Sequence, residues 1–226
     1  MKLGVLCSGG KDSIYAAYLA MQKEDVCCLI SVLSKNESSY MFHTPNVSLV
    51  ALQAKAAGLP LVSAVTEGEK EEELQDLKDA MERAREVYGI DGVVSGAIMS
   101  VYQASRLQRI CRELDLWCFN PLWYTDQEAY LQTLVEEGFS VIISGVFSEP
   151  FDESWLGRRI DTAMLAQLSA IAERYRITLT GEGGEFETFV LDAPFFTKRI
   201  VVRKTSVTYR NFRGLYLIED AGLVEK

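Results

Sequence analysis

Two short stretches of the chain concentrate side chains able to do chemistry. Residues 8–13, Ser-Gly-Gly-Lys-Asp-Ser, place two hydroxyls, two glycines, a cation and a carboxylate between an apolar run and a helical pattern. Gly9 and Gly10 let the backbone turn sharply and approach an anion with no Cβ in the way. Ser8 and Ser13 offer hydroxyls, and Lys11 a mobile point charge. A helix starting near Asp12 aims free N–H groups and the positive end of its dipole at the same spot. Such a turn suits phosphate. Asp12 would repel a phosphate unless a cation stood between them, which suggests Mg²⁺ coordination or a helix N-cap.

The second stretch is Gly-Glu-Gly-Gly-Glu-Phe-Glu-Thr at 181–188, with Glu182, Glu185 and Glu187 in one short segment. These carboxylates could bind Mg²⁺, hold an ammonium ion or capture a cationic substrate group. Two of them side by side would raise a pKa and suit one to take a proton from NH₄⁺. Between the two stretches lie further candidates. His43, the one histidine, and Tyr40 follow the second apolar run. Gly96 ends the fourth and would allow close approach of a ribose or phosphate. Tyr102 and Arg106 share a helix face at i, i+4, and Arg106 could bridge an α-phosphate or a carboxylate with two parallel hydrogen bonds. Trp155, in "DESWLGRRID" (152–161), could wall a substrate pocket.

Positioning these groups takes alternating elements. Strands are expected at 2–7, 26–33, 60–66, 92–96 and around 116–122, with helices at 12–23, 46–58, 68–89 and 101–114 between them. Continuous apolar strands interleaved with helices predict a doubly wound α/β fold, its crevice at the carboxyl ends of a parallel sheet. Beyond residue 122 the pattern loosens to helix 126–137, strand 140–147, helix 162–175 and an alternating tail that predicts antiparallel strands. The expected division is therefore 1–122, a doubly wound unit that carries the phosphate loop, and 123–226, a smaller α+β unit.

Composition narrows the classes. The chain has 226 residues, 48% apolar and 24% charged, and a net charge of −9. With no basic block, a broad hold on nucleic-acid backbone is not expected. No run approaches the roughly 18 apolar residues of a membrane span, and the first apolar stretch is too short for a secretory segment. A cytoplasmic protein is expected. The five cysteines, at 7, 27, 28, 111 and 118, form no Cys-x-x-Cys pair and suggest neither zinc nor a disulfide framework.

The loop at 8–13 is not a Walker A motif, since Gly10 stands where that motif needs lysine, and no Gly-x-Gly-x-x-Gly is present. Ser-Gly-Gly-Lys-Asp-Ser after a first strand resembles the pyrophosphate loop (PP-loop) of the N-type ATP pyrophosphatases, which release AMP and pyrophosphate. Taken with "ESSYMFHT" (37–44), "SGAIMSVYQASRLQRIC" (95–111), "NPLW" (120–123), "DESWLGRRID" and "GEGGEFETFVLDAP" (181–194), the chain resembles the diphthine–ammonia ligase family over nearly its whole length. Its compact size resembles the archaeal form.

That resemblance implies a PP-loop, Rossmann-like fold and a reaction using ATP and Mg²⁺. The carboxylate of diphthine, on translation elongation factor 2, would be adenylated and then attacked by ammonia to give diphthamide. It implies nucleotide binding by Ser8, Gly9, Gly10, Lys11, Asp12, Ser13 and Gly96, with Asp12 on the metal. Catalysis would fall to Asp12, Arg106, Glu182, Glu185 and Glu187. Tyr40, His43, Tyr102, Trp155 and Thr188 would meet the substrate, whose trimethylammonium group suits carboxylates or an aromatic wall. Free ammonium is the expected nitrogen source, because the chain lacks the Cys-at-position-2 pattern of a glutaminase. A homodimer is compatible with this reading but not required by it. The alternatives are another PP-loop enzyme, acting on tRNA or a small carboxylic acid, and a non-catalytic ATP-binding protein.

Overall fold

The computed structural model describes residues 1–36, 45–69 and 72–226. Tyr40 and His43 lie outside the described residues. Five strands form one parallel sheet, β1 (Lys2–Leu6), β2 (Asp25–Ser34), β3 (Leu61–Thr66), β4 (Gly92–Val94) and β5 (Trp117–Phe119). Their order is β3-β2-β1-β4-β5. The chain runs outward from β1 to β3 and then returns to the other side of β1. The order thus reverses between β1 and β4, and there the loops at the carboxyl ends diverge and leave a crevice.

Four helices cover this sheet: α1 (Lys11–Met21), α2 (Val50–Ala57), α3 (Glu72–Tyr88) and α4 (Val101–Glu113). On α3, Leu74, Leu77, Met81 and Ala84 are buried at helical spacing against the sheet, and the charged residues other than the buried Glu73 face outward. The helix expected at 46–58 is shorter. A 3-10 turn at Val47–Leu49 leads into α2, which stops where Gly58 takes up a left-handed conformation.

The remaining strands form a second, antiparallel sheet: β6 (Ser140–Val146), β7 (Phe186–Asp192), β8 (Lys198–Arg210) and β9 (Arg213–Glu225), in the order β7-β6-β9-β8. The helices α5 (Gln127–Glu136) and α6 (Thr162–Tyr175) precede and follow β6. One hydrophobic core joins both sheets, running from Leu3 and Val5 through Ile14 and Tyr130 to Val141, Val190 and Phe196. The second sheet is therefore packed against α1, and it brings β7 beside the loop that follows β1.

Candidate active site

The loop at 8–13 leaves β1 and turns at Gly9, whose φ of 86° is comfortable only for glycine. A Cβ at Gly9 would also lie 3.0 Å from Gln53 and from the Phe189 ring. Gln53, buried on α2, pins the turn by donating to the carbonyls of Gly9 and Val190 at 3.0 and 2.8 Å. Within the loop, the Ser13 hydroxyl donates to the Gly10 carbonyl at 3.0 Å and accepts from the Ser8 N–H at 3.3 Å. Gly10, not Asp12, is the N-cap residue of α1, and it has no side chain with which to cap the helix. By contrast α4, α5 and α6 are capped by Ser100, Asp126 and Asp161. This end of α1 opens on the crevice, where an anion would meet its remaining N–H groups and dipole.

Two charges stand at this end. Lys11 is only 2% exposed. Its Nζ donates to the Thr180 carbonyl at 2.5 Å and to Asp12 Oδ2 at 2.9 Å, and it lies 5.6 Å from the centre of the Phe186 ring. Asp12 also accepts from the Tyr130 hydroxyl at 3.0 Å. Both carboxylate oxygens are thereby oriented, and the group stays partly exposed to the cleft. Thr188, on β7, accepts from the Lys11 N–H at 3.1 Å and ties the start of α1 to the second sheet.

These groups line a cleft of about 380 Å³. One end is apolar, formed by Ile30 and Val32 of β2 with Leu77 of α3 and Leu107 of α4, and suits a planar base. The other end is polar. Ser8, Lys11, Asp12 and Ser13 line it together with Glu182, Glu187 and Thr188. Ser95 and Gly96, just past β4, form a third wall. The Ser95 hydroxyl bonds to Asn120 at 2.5 Å, which gives the "NPLW" segment a part in shaping the cleft. A Cβ on Gly96 would fall 2.5 Å from the Asp12 carbonyl carbon and 2.6 Å from the Ser13 nitrogen. Glycine at 96 thus lets β4 approach the phosphate loop backbone to backbone.

The acidic groups perturb one another. Burial pushes the Glu187 carboxyl up to about 7, aided by Asp12 and Glu182 and opposed by Lys11. Burial and the Asp12 carboxylate raise Glu182 as well, while Lys11 and the N–H groups of Ile98 and Met99 hold it partly down. Burial and the Asp12 carboxylate push the Tyr130 hydroxyl well above its ordinary value, so it remains a donor to Asp12. A carboxyl that titrates near neutral pH can both take and release a proton there.

Not every expected residue reaches the cleft. Glu185 turns away, accepting from the Thr178 N–H at 2.6 Å and hydroxyl at 2.8 Å, and so closes the turn that presents Glu182. Tyr102 and Arg106 do share a face, with the guanidinium 3.4 Å above the ring, but the cleft is lined instead by Gln103 and Leu107 of the adjacent face. Trp155 is 6% exposed and packs edge-on against Phe151 at 5.0 Å in the shared core. Gln103 and Thr180 line the cleft, and Tyr130 braces Asp12 from the core, although sequence reasoning assigned none of the three to the site. Tyr130 and Thr180 lie far from the loop in sequence and carry no local signal.

Among the described residues no three His, Cys, Asp or Glu side chains are grouped as a ready-made metal site. Mg²⁺ beside a nucleotide commonly takes one or two carboxylates, the phosphates and water. Asp12, oriented and partly exposed at the phosphate end, fits that need.

Both halves of the chain match known family models: "Diphthamide synthase N-terminal domain" over residues 1–117 and "Diphthamide synthase C-terminal domain" over 126–224. A Mus musculus protein named diphthine–ammonia ligase is 32% identical, the alignment covering 89% of this chain and 83% of that one. A Danio rerio protein of the same name is also 32% identical, with 91% and 88% covered. One from Schizosaccharomyces pombe is 30% identical over 92% of this chain but only 37% of its own length. Compact length is thus shared with vertebrate relatives, and a longer form occurs in the yeast. The loop, the switch-point cleft and these matches to both halves agree, and the chain belongs to the diphthamide synthase family.

Proposed function

We infer that the chain is the ATP-dependent ligase that converts diphthine to diphthamide, joining ammonia to a carboxylate in a new carbon–nitrogen bond. The observation that carries the chemistry is that the Lys11-bearing end of α1 lines one cleft together with Glu182 and Glu187. A carboxylate does not condense with ammonia unaided, because its carbonyl is a weak electrophile and oxide a poor leaving group. Transfer to the α-phosphorus of ATP gives a mixed anhydride with AMP, and pyrophosphate departs. In this reading Ser8, Gly9, Gly10, Lys11 and Ser13 hold the departing pyrophosphate, and the N–H groups of α1 stabilise its charge. Mg²⁺ bound through Asp12 would neutralise phosphate charge.

The apolar end between Leu77 and Leu107 takes the adenine, with Gly96 between base and phosphates. Glu187, titrating near 7, accepts the proton that ammonium must lose before its nitrogen can attack the acyl carbon of the anhydride and displace AMP. Glu182, on the neighbouring turn, faces the cationic end of the substrate. Glu185 and Thr188 position these groups without touching substrate. Arg106 and Tyr102 stand one helix face away, where they meet the protein substrate and not the nucleotide. Residues 1–122 supply the nucleotide site and 123–226 the acidic wall, in a division of labour across a shared core.

The protein substrate in this reading is translation elongation factor 2 and the nitrogen donor is ammonium, which places the reaction in the cytoplasm. No described helix is long and apolar enough to cross a membrane. A tRNA-modifying enzyme, a small-molecule amide synthetase and a non-catalytic nucleotide binder are not favoured, since both halves match one ligase family. The test is incubation with ATP, ammonium and the diphthine-bearing factor. AMP and pyrophosphate formed only when all three are present support the reading. ADP as product, or turnover indifferent to the factor, would remove it.

A further inference from the structure

Between residues 198 and 213 the sequence carries six basic side chains and no acidic one, within a chain of net charge −9. These residues form β8 and the turn into β9. The returning strand answers three of the charges: Lys198 pairs with Glu225 at 2.7 Å, Arg203 with Asp220 at 3.3 Å and Lys204 with Glu219 at 2.5 Å. Arg210 and Arg213 make no ion pair among the described residues, and both are exposed. They are register partners, directly opposite each other at the end of the hairpin. Like charges in that position repel and destabilise a strand pair. Between them the turn residues Asn211 and Phe212 have φ of 52° and 60°. That conformation suits asparagine and is unfavourable for a bulky aromatic. Phe212 is nevertheless there, and half exposed.

The register relates this tip to the cleft. One row of partners crosses the second sheet from Glu187 to Gly145, then to Leu215 and Thr208. Residues directly opposite share a face, so Thr208 and Leu215 lie on the Glu187 face. Arg210 and Arg213, two residues further along each strand, lie on that face as well. Two strand spacings and two residues of rise separate Glu187 from Arg213, roughly 12 Å between backbones. The displacement is toward the end of β7 where the 181–185 turn enters. Gly145, between them in the row, has no side chain to stand in the way, although Phe147 and Pro45 approach it.

We propose that the paired arginines Arg210 and Arg213, with Phe212 at the tip, dock an acidic surface segment of the protein substrate and hold its acceptor carboxylate at the Glu187 end of the cleft. The proposal rests on the function inferred above. An acidic chain repels an acidic partner over most of its surface, and an unanswered cationic pair defines where approach is favourable. Guanidinium groups side by side take carboxylates through parallel hydrogen bonds, and an anion between them removes the repulsion that the free hairpin bears. The exposed ring adds apolar contact area at the same point.

The test compares the full-length protein with its R210E/R213E and R210K/R213K variants. Affinity for the diphthine-bearing factor is read by isothermal titration, and KM is measured separately for factor, ATP and ammonium. In R210E/R213E, factor affinity should fall and its KM rise by roughly tenfold at low salt. KM for ATP and kcat at saturating factor should hold. R210K/R213K should recover most of the loss, and wild-type binding should weaken with salt more steeply than that of R210E/R213E. Equal factor affinity in wild type and R210E/R213E overturns the docking. So does a change in the variant's mass by light scattering, which would make the tip a contact between copies. Arginine-dependent binding of a single-stranded RNA, with factor affinity unaltered, also overturns it. Arginine-dependent factor binding without AMP formation would leave the docking standing and refute the reaction instead.

Discussion

Glu187 offers a stability measurement that needs no substrate. Its carboxyl titrates near 7 in the folded protein, against an ordinary 4.5, because burial and the neighbouring Asp12 and Glu182 disfavour its charge more than Lys11 restores it. Below about pH 4.5 folded and unfolded chains both hold this proton, and the group contributes nothing. Between about 4.5 and 7 only the folded chain holds it, so stability falls as pH rises through that window. Each pH unit is worth ~1.4 kcal/mol, so a gap of 7 − 4.5 corresponds to about 3 kcal/mol. Above pH 7 that penalty stays constant. Glu187→Gln keeps the shape and removes the titration. The variant should match wild type near pH 4.5 and exceed it by about 3 kcal/mol at pH 8, or roughly 8 °C in melting temperature for a domain of this size. Urea unfolding at several pH values measures it directly. Its kcat at pH 7 should meanwhile fall by about 10²-fold or more, as for loss of a proton acceptor. Parallel stability curves for the two proteins would refute the half-buried, acid-surrounded placement of Glu187.

Two substitutions test the remaining geometry. Gly96→Ala drives a methyl against the Asp12–Ser13 backbone. It should cost about 1–3 kcal/mol and raise KM for ATP, and wild-type values of both would show that β4 does not press on the loop. Trp155→Ala should cost about 3–5 kcal/mol, as for an aromatic lost from a core, with KM for ATP and for the factor unchanged at a permissive temperature. A selective rise in the factor's KM would return Trp155 to a substrate wall.

The parallel sheet, its switch point and the loop at 8–13 were legible because local pattern decides them. Apolar runs between helical stretches can be buried only as a covered sheet, and Ser-Gly-Gly-Lys-Asp-Ser sets its own turn. The hairpin tail was legible from its alternation. What failed to show was phase and distance. Spacing reveals that Tyr102 and Arg106 share a helix face, but how α4 rolls against the sheet decides that Gln103 and Leu107 line the cleft. Glu185 and Glu187 have the same parity, yet β7 begins at Phe186, and Glu185 folds back onto Thr178 before the alternation starts. Tyr130 meets Asp12 across 118 residues, a contact created by packing the second sheet's helices on α1. Trp155 shows the cost of reading a large aromatic in a polar loop as a pocket wall, when its apolar area was needed in the core.

The central claim is that the acceptor carboxylate attacks the α-phosphorus of ATP in the cleft between the Lys11 loop and Glu187. Labelling that carboxylate with oxygen-18 follows the transfer atom by atom. After one turnover with ATP and ammonium, mass spectrometry should find one labelled oxygen in AMP and none in pyrophosphate. Label in inorganic phosphate, with ADP as the nucleotide product, or AMP free of label, would contradict the account.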